Sequence, residues 1–250
     1  MKQDLNRLEQ WAELWQMKFN VDKCKVMHVG IHNKRQKYKM GGKELAEIKE
    51  EKDLGVYVDN TFKVANQCSK SAKKGNQILG MINRTFSCKS RKVIVSLYKA
   101  LVRPHLDYCG QAWRPYLAKD KDILEKVQRR ATRMMEGCSK LNYMIRLKKA
   151  NLTTLETRRE RADMLEVYKI LNGLEGVQED NFFTRNSRIG RGHSFKLYKR
   201  RTRINIAKFS FGNRTCDPWN QLPETVVSAP NVNVFKNRLD NYLRNIRGFK

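Results

Sequence analysis

Near residue 63 the spacing of apolar side chains changes, and that change constrains what this chain can fold into. Before it, short runs read as strands: Val26-Met27-His28-Val29 ending at Gly30, Tyr38-Lys39-Met40 leading into Gly41-Gly42, and Leu54-Gly55-Val56-Tyr57-Val58. The Gly-Gly pair predicts a tight hairpin turn, and Gly55 inside a strand would let another backbone come close. A helix over residues 4–18 precedes them, because Leu5, Leu8, Ala12, Trp15 and Phe19 recur every three or four positions, with Asp4 as the N-cap candidate.

After residue 63 the period is helical. Val64, Cys68, Ala72, Ile78-Leu79 and Ile82 predict one helix to about Phe86. Val93, Leu97 and Leu101 predict a second, stopped near Pro104, and Ile123, Val127, Ala131 and Met134 a third. The fourth runs from Leu155 to Leu171, with Gly173 as its natural C-terminal cap. Residues 172–192 read as a loop, and residues 193–212 alternate enough for two short strands. A last helix follows from Val232 to about Ile246. The expected fold class is α+β, mainly helical, in three parts: 1–60, 61–172 and 173–250.

Charge places the expected work of the chain in its middle part. Lys and Arg number 52 against 25 Asp and Glu, a net charge of +27 over 250 residues. A chain this basic repels itself when compact, and nucleic acid is the commonest partner that relieves such a charge. Residues 1–60 carry a net +2, residues 61–150 a net +16 and residues 151–250 a net +9. The phosphate-facing candidates are Lys73, Lys74 and Arg84 on one expected helix, and Lys126, Arg129, Arg130 and Arg133 on another. Lysines on helix faces often do no more than solvate them, but that leaves the scarcity of acids around these positions unexplained.

Other chemistries find little support. Two-metal nucleotidyl transfer needs converging carboxylates, and no Asp-Asp dipeptide occurs. Lys119-Asp120-Lys121-Asp122 is the nearest approach, and its alternation suits a helix N-terminus. Cys24, His28 and His32 would share a helix face, but Gly30 and the strand reading of Val26–Val29 oppose a metal site there. P-loop, G-x-G-x-x-G and G-x-S-x-G motifs are absent. The six cysteines include no C-x-x-C pair, so they are expected to be reduced thiols without structural zinc. Asp4, Glu9 and Glu13 argue against a signal or transit peptide, and no apolar run reaches the ~20 residues of a membrane helix. The expectation is an intracellular protein, nuclear or cytoplasmic and not secreted, with no membrane partner.

Several strings, in order along nearly the whole chain, resemble the C-terminal part of a LINE-type reverse transcriptase from non-LTR retrotransposons, of the jockey-like and chicken-repeat-like kind. Leu8-Glu9-Gln10-Trp11 and Trp15 through Gly30 resemble the stretch that follows the catalytic hairpin. Glu51-Lys52-Asp53-Leu54-Gly55-Val56 resembles the primer-grip hairpin of the palm. Leu97-Tyr98-Lys99, Leu101 through Cys109 and Leu124 through Thr132 resemble the thumb-like helices. Gly192-His193-Ser194, Trp219-Asn220-Gln221-Leu222-Pro223 and Phe235-Lys236-Asn237-Arg238-Leu239 resemble the family's C-terminal tail.

The resemblance implies a palm remnant, a helical thumb and a small C-terminal module from an RNA-directed DNA polymerase. The family's Tyr/Phe-x-Asp-Asp hairpin, its earlier Asp, its fingers and its endonuclease lie N-terminal of the matching segment. No catalytic residue is therefore assigned here, and no metal ligand. The parent polymerase would need Mg²⁺, whereas this segment is expected to hold no cofactor. Lys23 matches the lysine after the catalytic hairpin, and Asp53, Leu54, Gly55 and Val56 match the primer grip. The thumb would hold an RNA or RNA–DNA duplex by its backbone, without reading sequence. Trp11, Trp15 and Tyr57 are expected to be exposed, because the palm surface that would cover them belongs to the missing N-terminal half. A host protein covering that palm edge is the alternative partner, as is the absence of any selected function. An active polymerase would require another chain to supply the carboxylates.

Overall fold

The structure is a computed structural model and describes residues 2–30, 32–186 and 192–247. It is mainly helical with a few short strands, and the chain divides into two compact units, residues 1–67 and 68–250.

In the first unit, α1 (Lys2–Leu14) buries only Ala12. Asp4 sits in its first turn rather than at the cap, and the helix stops before the expected residue 18, with Gln16 at φ 53°. A 3₁₀ turn at Val21–Lys23 leads into β1 (Lys25–Met27). The strands β2 (Lys39–Met40) and β3 (Lys43–Glu44) form the expected hairpin across Gly41-Gly42, whose first amide donates to Glu9 Oε1 at 2.5 Å. β4 (Ala46–Ile48) pairs in parallel with β1, Lys25 opposite Ala46. β5 (Glu50–Asp53) and β6 (Val56–Asp59) pair antiparallel, Asp53 opposite Val56. Leu54 and Gly55 are thus the turn of a hairpin, not the start of a strand. Both have positive φ, 43° and 87°, as a two-residue hairpin turn requires, and that is the conformation Gly adopts at least cost.

The second unit begins along α2 (Ala65–Thr85) and continues through α3 (Arg91–Leu97), capped by Ser90. Pro104 does not stop this helix. Tyr98–Val102 form a widened π turn in which the Arg103 amide donates to the Tyr98 carbonyl, and α4 (Arg103–Asp107) follows with proline at its start. Proline is tolerated at a helix start because its missing N–H has no intrahelical partner to lose. α5 (Gly110–Trp113) and α6 (Ala118–Arg133) come next, then α7 (Tyr143–Ala150), which apolar spacing alone did not suggest. α8 (Leu155–Leu171) is capped by Thr154 and ends at Gly173 as expected, the Leu174 amide returning to the Lys169 carbonyl at 2.9 Å.

No strand forms over residues 193–212. The described residues there make one isolated bridge, Arg185 with Leu197, and then the short helices α9 (Asn205–Lys208) and α10 (Phe211–Arg214). The expected loop at 172–192 is partly outside the described residues, at 187–191. α11 (Cys216–Asn220), α12 (Glu224–Val227) and α13 (Val232–Arg247) complete the chain.

The tail strings that carried part of the resemblance pack into one core. Trp219, Leu222, Phe235 and Leu239 meet Met164, Val167, Tyr168 and Leu171 of α8. Tyr168 stacks on Phe235 at 4.3 Å and donates to the Ala229 carbonyl at 2.6 Å. Phe235 and Leu239 are fully buried, each contributing about 1.5–3 kcal/mol. The boundary expected at residue 172 therefore runs through shared packing. α8, the last helix before that boundary, is also one wall of the C-terminal core.

Candidate nucleic-acid interface

The seven basic candidates stand on two helices whose inner faces are locked in place. α6 turns Leu124, Val127, Gln128, Ala131 and Thr132 inward. Gln128 is 1 % exposed, and its amide is saturated: it accepts from the Tyr98 hydroxyl at 2.8 Å and donates to the Tyr143 hydroxyl at 2.9 Å and the Thr153 carbonyl at 3.0 Å. Glu125 accepts from Tyr143 and from the Leu155 amide, tying α6 to α7 and the start of α8. Burial, then the bond to Glu125, pushes the Tyr143 phenol well above its ordinary range, so it stays a neutral donor. Satisfied buried networks of this kind fix one orientation of a helix. α2 comes close to α6 at Gly75, where a methyl group would stand 3.0 Å from Val127 Cγ1 and 3.4 Å from Leu106 Cδ2.

With the inner faces fixed, the outer faces follow from helical spacing. Lys126, Arg129, Arg130 and Arg133 recur at three and four residues and share one face of α6. Lys73, Asn76, Gly80 and Arg84 share one face of α2, with Lys74 beside it. Arg130 Nη1 donates to Asn76 Oδ1 at 3.1 Å, which brings the two faces side by side. Asn76 was not among the sequence candidates. Its place between Lys73 and Arg84 on one helix face was legible, but its partner, 54 residues away in sequence, was not.

The candidates differ in how free they are. Lys126 and Arg129 share one carboxylate, Asp122, at 2.9 and 2.7 Å. Lys126 first, and then Arg129, holds that carboxyl below its ordinary range. Arg129 also lies over the Tyr143 ring, 5.2 Å from its centroid. Lys73, Lys74, Arg84 and Arg133 are exposed and form no ion pair among the described residues. The face thus combines free cations with cations held in position. Such a surface can meet successive phosphate groups without contacting bases.

The remaining candidates belong to the first unit. Lys23 is exposed at the end of the 3₁₀ turn. Asp53, Leu54 and Gly55 are exposed at the tip of the β5–β6 hairpin, with Leu54 85 % exposed, while Val56 is buried at its base. Among the described residues no group of three or more His, Cys, Asp and Glu side chains could hold a metal ion, and Cys24 Sγ donates instead to the Asn20 carbonyl. Asp120 is buried at the first turn of α6, where the helix dipole favours an acid. All six cysteines are free thiols, and no described helix is long and apolar enough to cross a membrane.

The geometry defines a class of surface, a paired-helix basic face on a helical body. No protein-family model, no curated protein and no solved structure matches this chain.

Proposed function

We propose that residues 68–250 bind RNA or an RNA–DNA duplex through the backbone, as the thumb-like part of a LINE-type reverse transcriptase without its catalytic carboxylates. The observation that carries this reading is the pairing of the basic faces of α2 and α6 through Arg130 and Asn76, in the part of the chain richest in uncompensated charge. Backbone contacts release counterions, so affinity falls with salt and is insensitive to sequence. The chain does not polymerise by itself in this reading, since it has no Asp-Asp dipeptide for a metal-assisted transfer.

The test is anisotropy with RNA–DNA hybrids of unrelated sequence. If about four phosphates are neutralised, affinity falls roughly a hundredfold between about 50 and 200 mM salt. Arg130→Glu with Arg133→Glu weakens binding and lowers the salt slope by about one per lost contact. The triple reversal Lys34→Glu, Arg35→Glu and Lys37→Glu in the first unit has a smaller effect. Salt-independent affinity, or equal losses from the two sets, overturns the reading.

A second reading rests on α1. Leu8, Trp11 and Leu14 of that helix and Trp15 just after it are exposed, Leu14 at 78 % and Trp15 at 64 %. We infer that this apolar face is covered by protein, either the other half of a polymerase palm or a host partner. A stoichiometric complex that survives nuclease treatment and is lost in Trp11→Ser/Trp15→Ser favours this reading over nucleic-acid binding.

A further inference from the structure

A second cationic feature lies in the same unit, and its cations stand on different elements from the α2–α6 face. A cleft of about 290 Å³ is walled by Lys99 of the π turn, Arg103 of α4, Arg158 and Arg161 of α8, and Arg244 of α13, with Asp240 of α13 as its one acidic residue. Five cations converge from segments separated by up to 145 residues in sequence, so no local motif announced them. One local sign did exist: Arg158, Arg159 and Arg161 crowd the first two turns of α8, where the helix dipole disfavours positive charge.

The internal pairing leaves positive charge over. Arg161 is satisfied by Asp240 through Nε at 2.5 Å and Nη2 at 3.0 Å. Arg158 and Arg103 both turn their Nε towards the same oxygen, Asp107 Oδ2, at 2.5 and 3.9 Å. Lys99 and Arg244 are exposed at the rim and form no ion pair among the described residues. Burial first, and then the nearby Arg158 charge, disfavours the charged form of Arg103. Two guanidinium groups competing for one carboxylate oxygen, with two further cations at the opening, carry more positive charge than the acids beside them balance. The space is enough for about nine waters at liquid density, or for a phosphate group with part of its hydration shell. Arginine suits that ligand because its planar donors match phosphate oxygens in pairs.

We propose that this cleft is a phosphate-binding pocket, in which Arg103 and Arg158 hold the phosphate oxygens and Lys99 and Arg244 close over it from the rim. The pocket stands independently of the α2–α6 surface. Its phosphate comes either from the 5′ end of a nucleic-acid strand or from the free ion, and the two sources are separable by experiment.

The measurement is calorimetric titration of the full chain with inorganic phosphate, alongside anisotropy with one oligonucleotide bearing either a 5′-phosphate or a 5′-hydroxyl. Saturable binding at one site per chain is expected, weakened at least ~tenfold in Lys99→Gln/Arg244→Gln by loss of the charge-assisted bonds. Both substitutions lie at exposed positions, so the variant keeps its unfolding midpoint; Arg103→Gln is the stronger test where it folds. Arg130→Gln/Arg133→Gln leaves phosphate binding unchanged even if it abolishes duplex binding, which separates this pocket from the helix surface. A preference for the 5′-phosphate strand that disappears in Lys99→Gln/Arg244→Gln assigns the pocket to strand ends. Equal affinity for the two strands, with phosphate still bound, assigns it to the free ion. Absence of saturable phosphate binding, or an equal loss in both double variants, overturns the proposal.

Discussion

His193 shows how a residue from a short tail string acquires a physical role. It is 3 % exposed, its ring meets Trp219 edge-on at 6.1 Å, and its Nε2–H donates to the Trp219 carbonyl at 3.0 Å. Nδ1 is buried without a partner, and burial pulls the imidazole pKa below its ordinary 6.5. The unfolded chain therefore takes up a proton more readily than the folded one. The stability from this site is complete above about pH 6.5 and is lost as pH falls from there through the lower folded pKa. A urea midpoint that declines from about pH 6.5 towards 5 is expected, with a shallower decline in His193→Gln. Parallel pH profiles for the two proteins would remove the assignment. The string Gly192-His193-Ser194 could be read as a marker from the sequence, but its burial, against Trp219 26 residues away, could not.

Among the elements, α3 to α4 teaches most about what sequence carries. Apolar spacing located the helix, and Pro104 suggested its end. The chain instead widens into a π turn at Tyr98–Val102, and the helix resumes at Arg103. A proline in a regular helix interior costs about 3 kcal/mol, partly by clashing with the carbonyl four residues back. Here the widened turn has already displaced that carbonyl. Pro104→Ala is therefore expected to raise stability by less than about 1 kcal/mol in urea unfolding, whereas a gain near 3 kcal/mol would mean the turn does not relieve the proline. The strand reading of residues 193–212 failed for a related reason. Loose alternation is a local pattern, while Leu197 is held by Asn220, whose side chain accepts from its amide and donates to its carbonyl, both at 2.8 Å. A side chain there does the work a neighbouring strand would do.

At the scale of the whole molecule, the two units differ in how they meet solvent. The helical unit buries a core around α8, and the basic residues α6 presents were legible because four cations at helical spacing need no tertiary information. The cationic cleft was not legible, because its charged residues come from three distant segments. In the first unit α1 leaves Trp11 and Trp15 exposed, as expected from the sequence, although Tyr57 is half-buried rather than exposed. Exposed apolar helix faces associate. Sedimentation is expected to show mass rising with protein concentration and a weaker trend in Trp11→Ser/Trp15→Ser. A single monomeric species across the concentration range would contradict the exposed-face argument.

In the second unit carboxylates are few, and three aspartates each serve two cations. Asp163, 1 % exposed, accepts from Arg114 at 2.8 Å and from Arg214 through Nε at 3.0 Å and Nη2 at 3.1 Å. Asp122 serves Lys126 and Arg129, and Asp107 serves Arg158 and Arg103. Tolerance to random substitution is thereby made lopsided. Most of the many lysines can be exchanged singly with little effect, because no neighbour depends on them. Exchange of one shared aspartate strands two positive groups at once, and at Asp163 it does so out of reach of water. In a comprehensive substitution library the rarest charge in this unit would be the one that selection guards most closely.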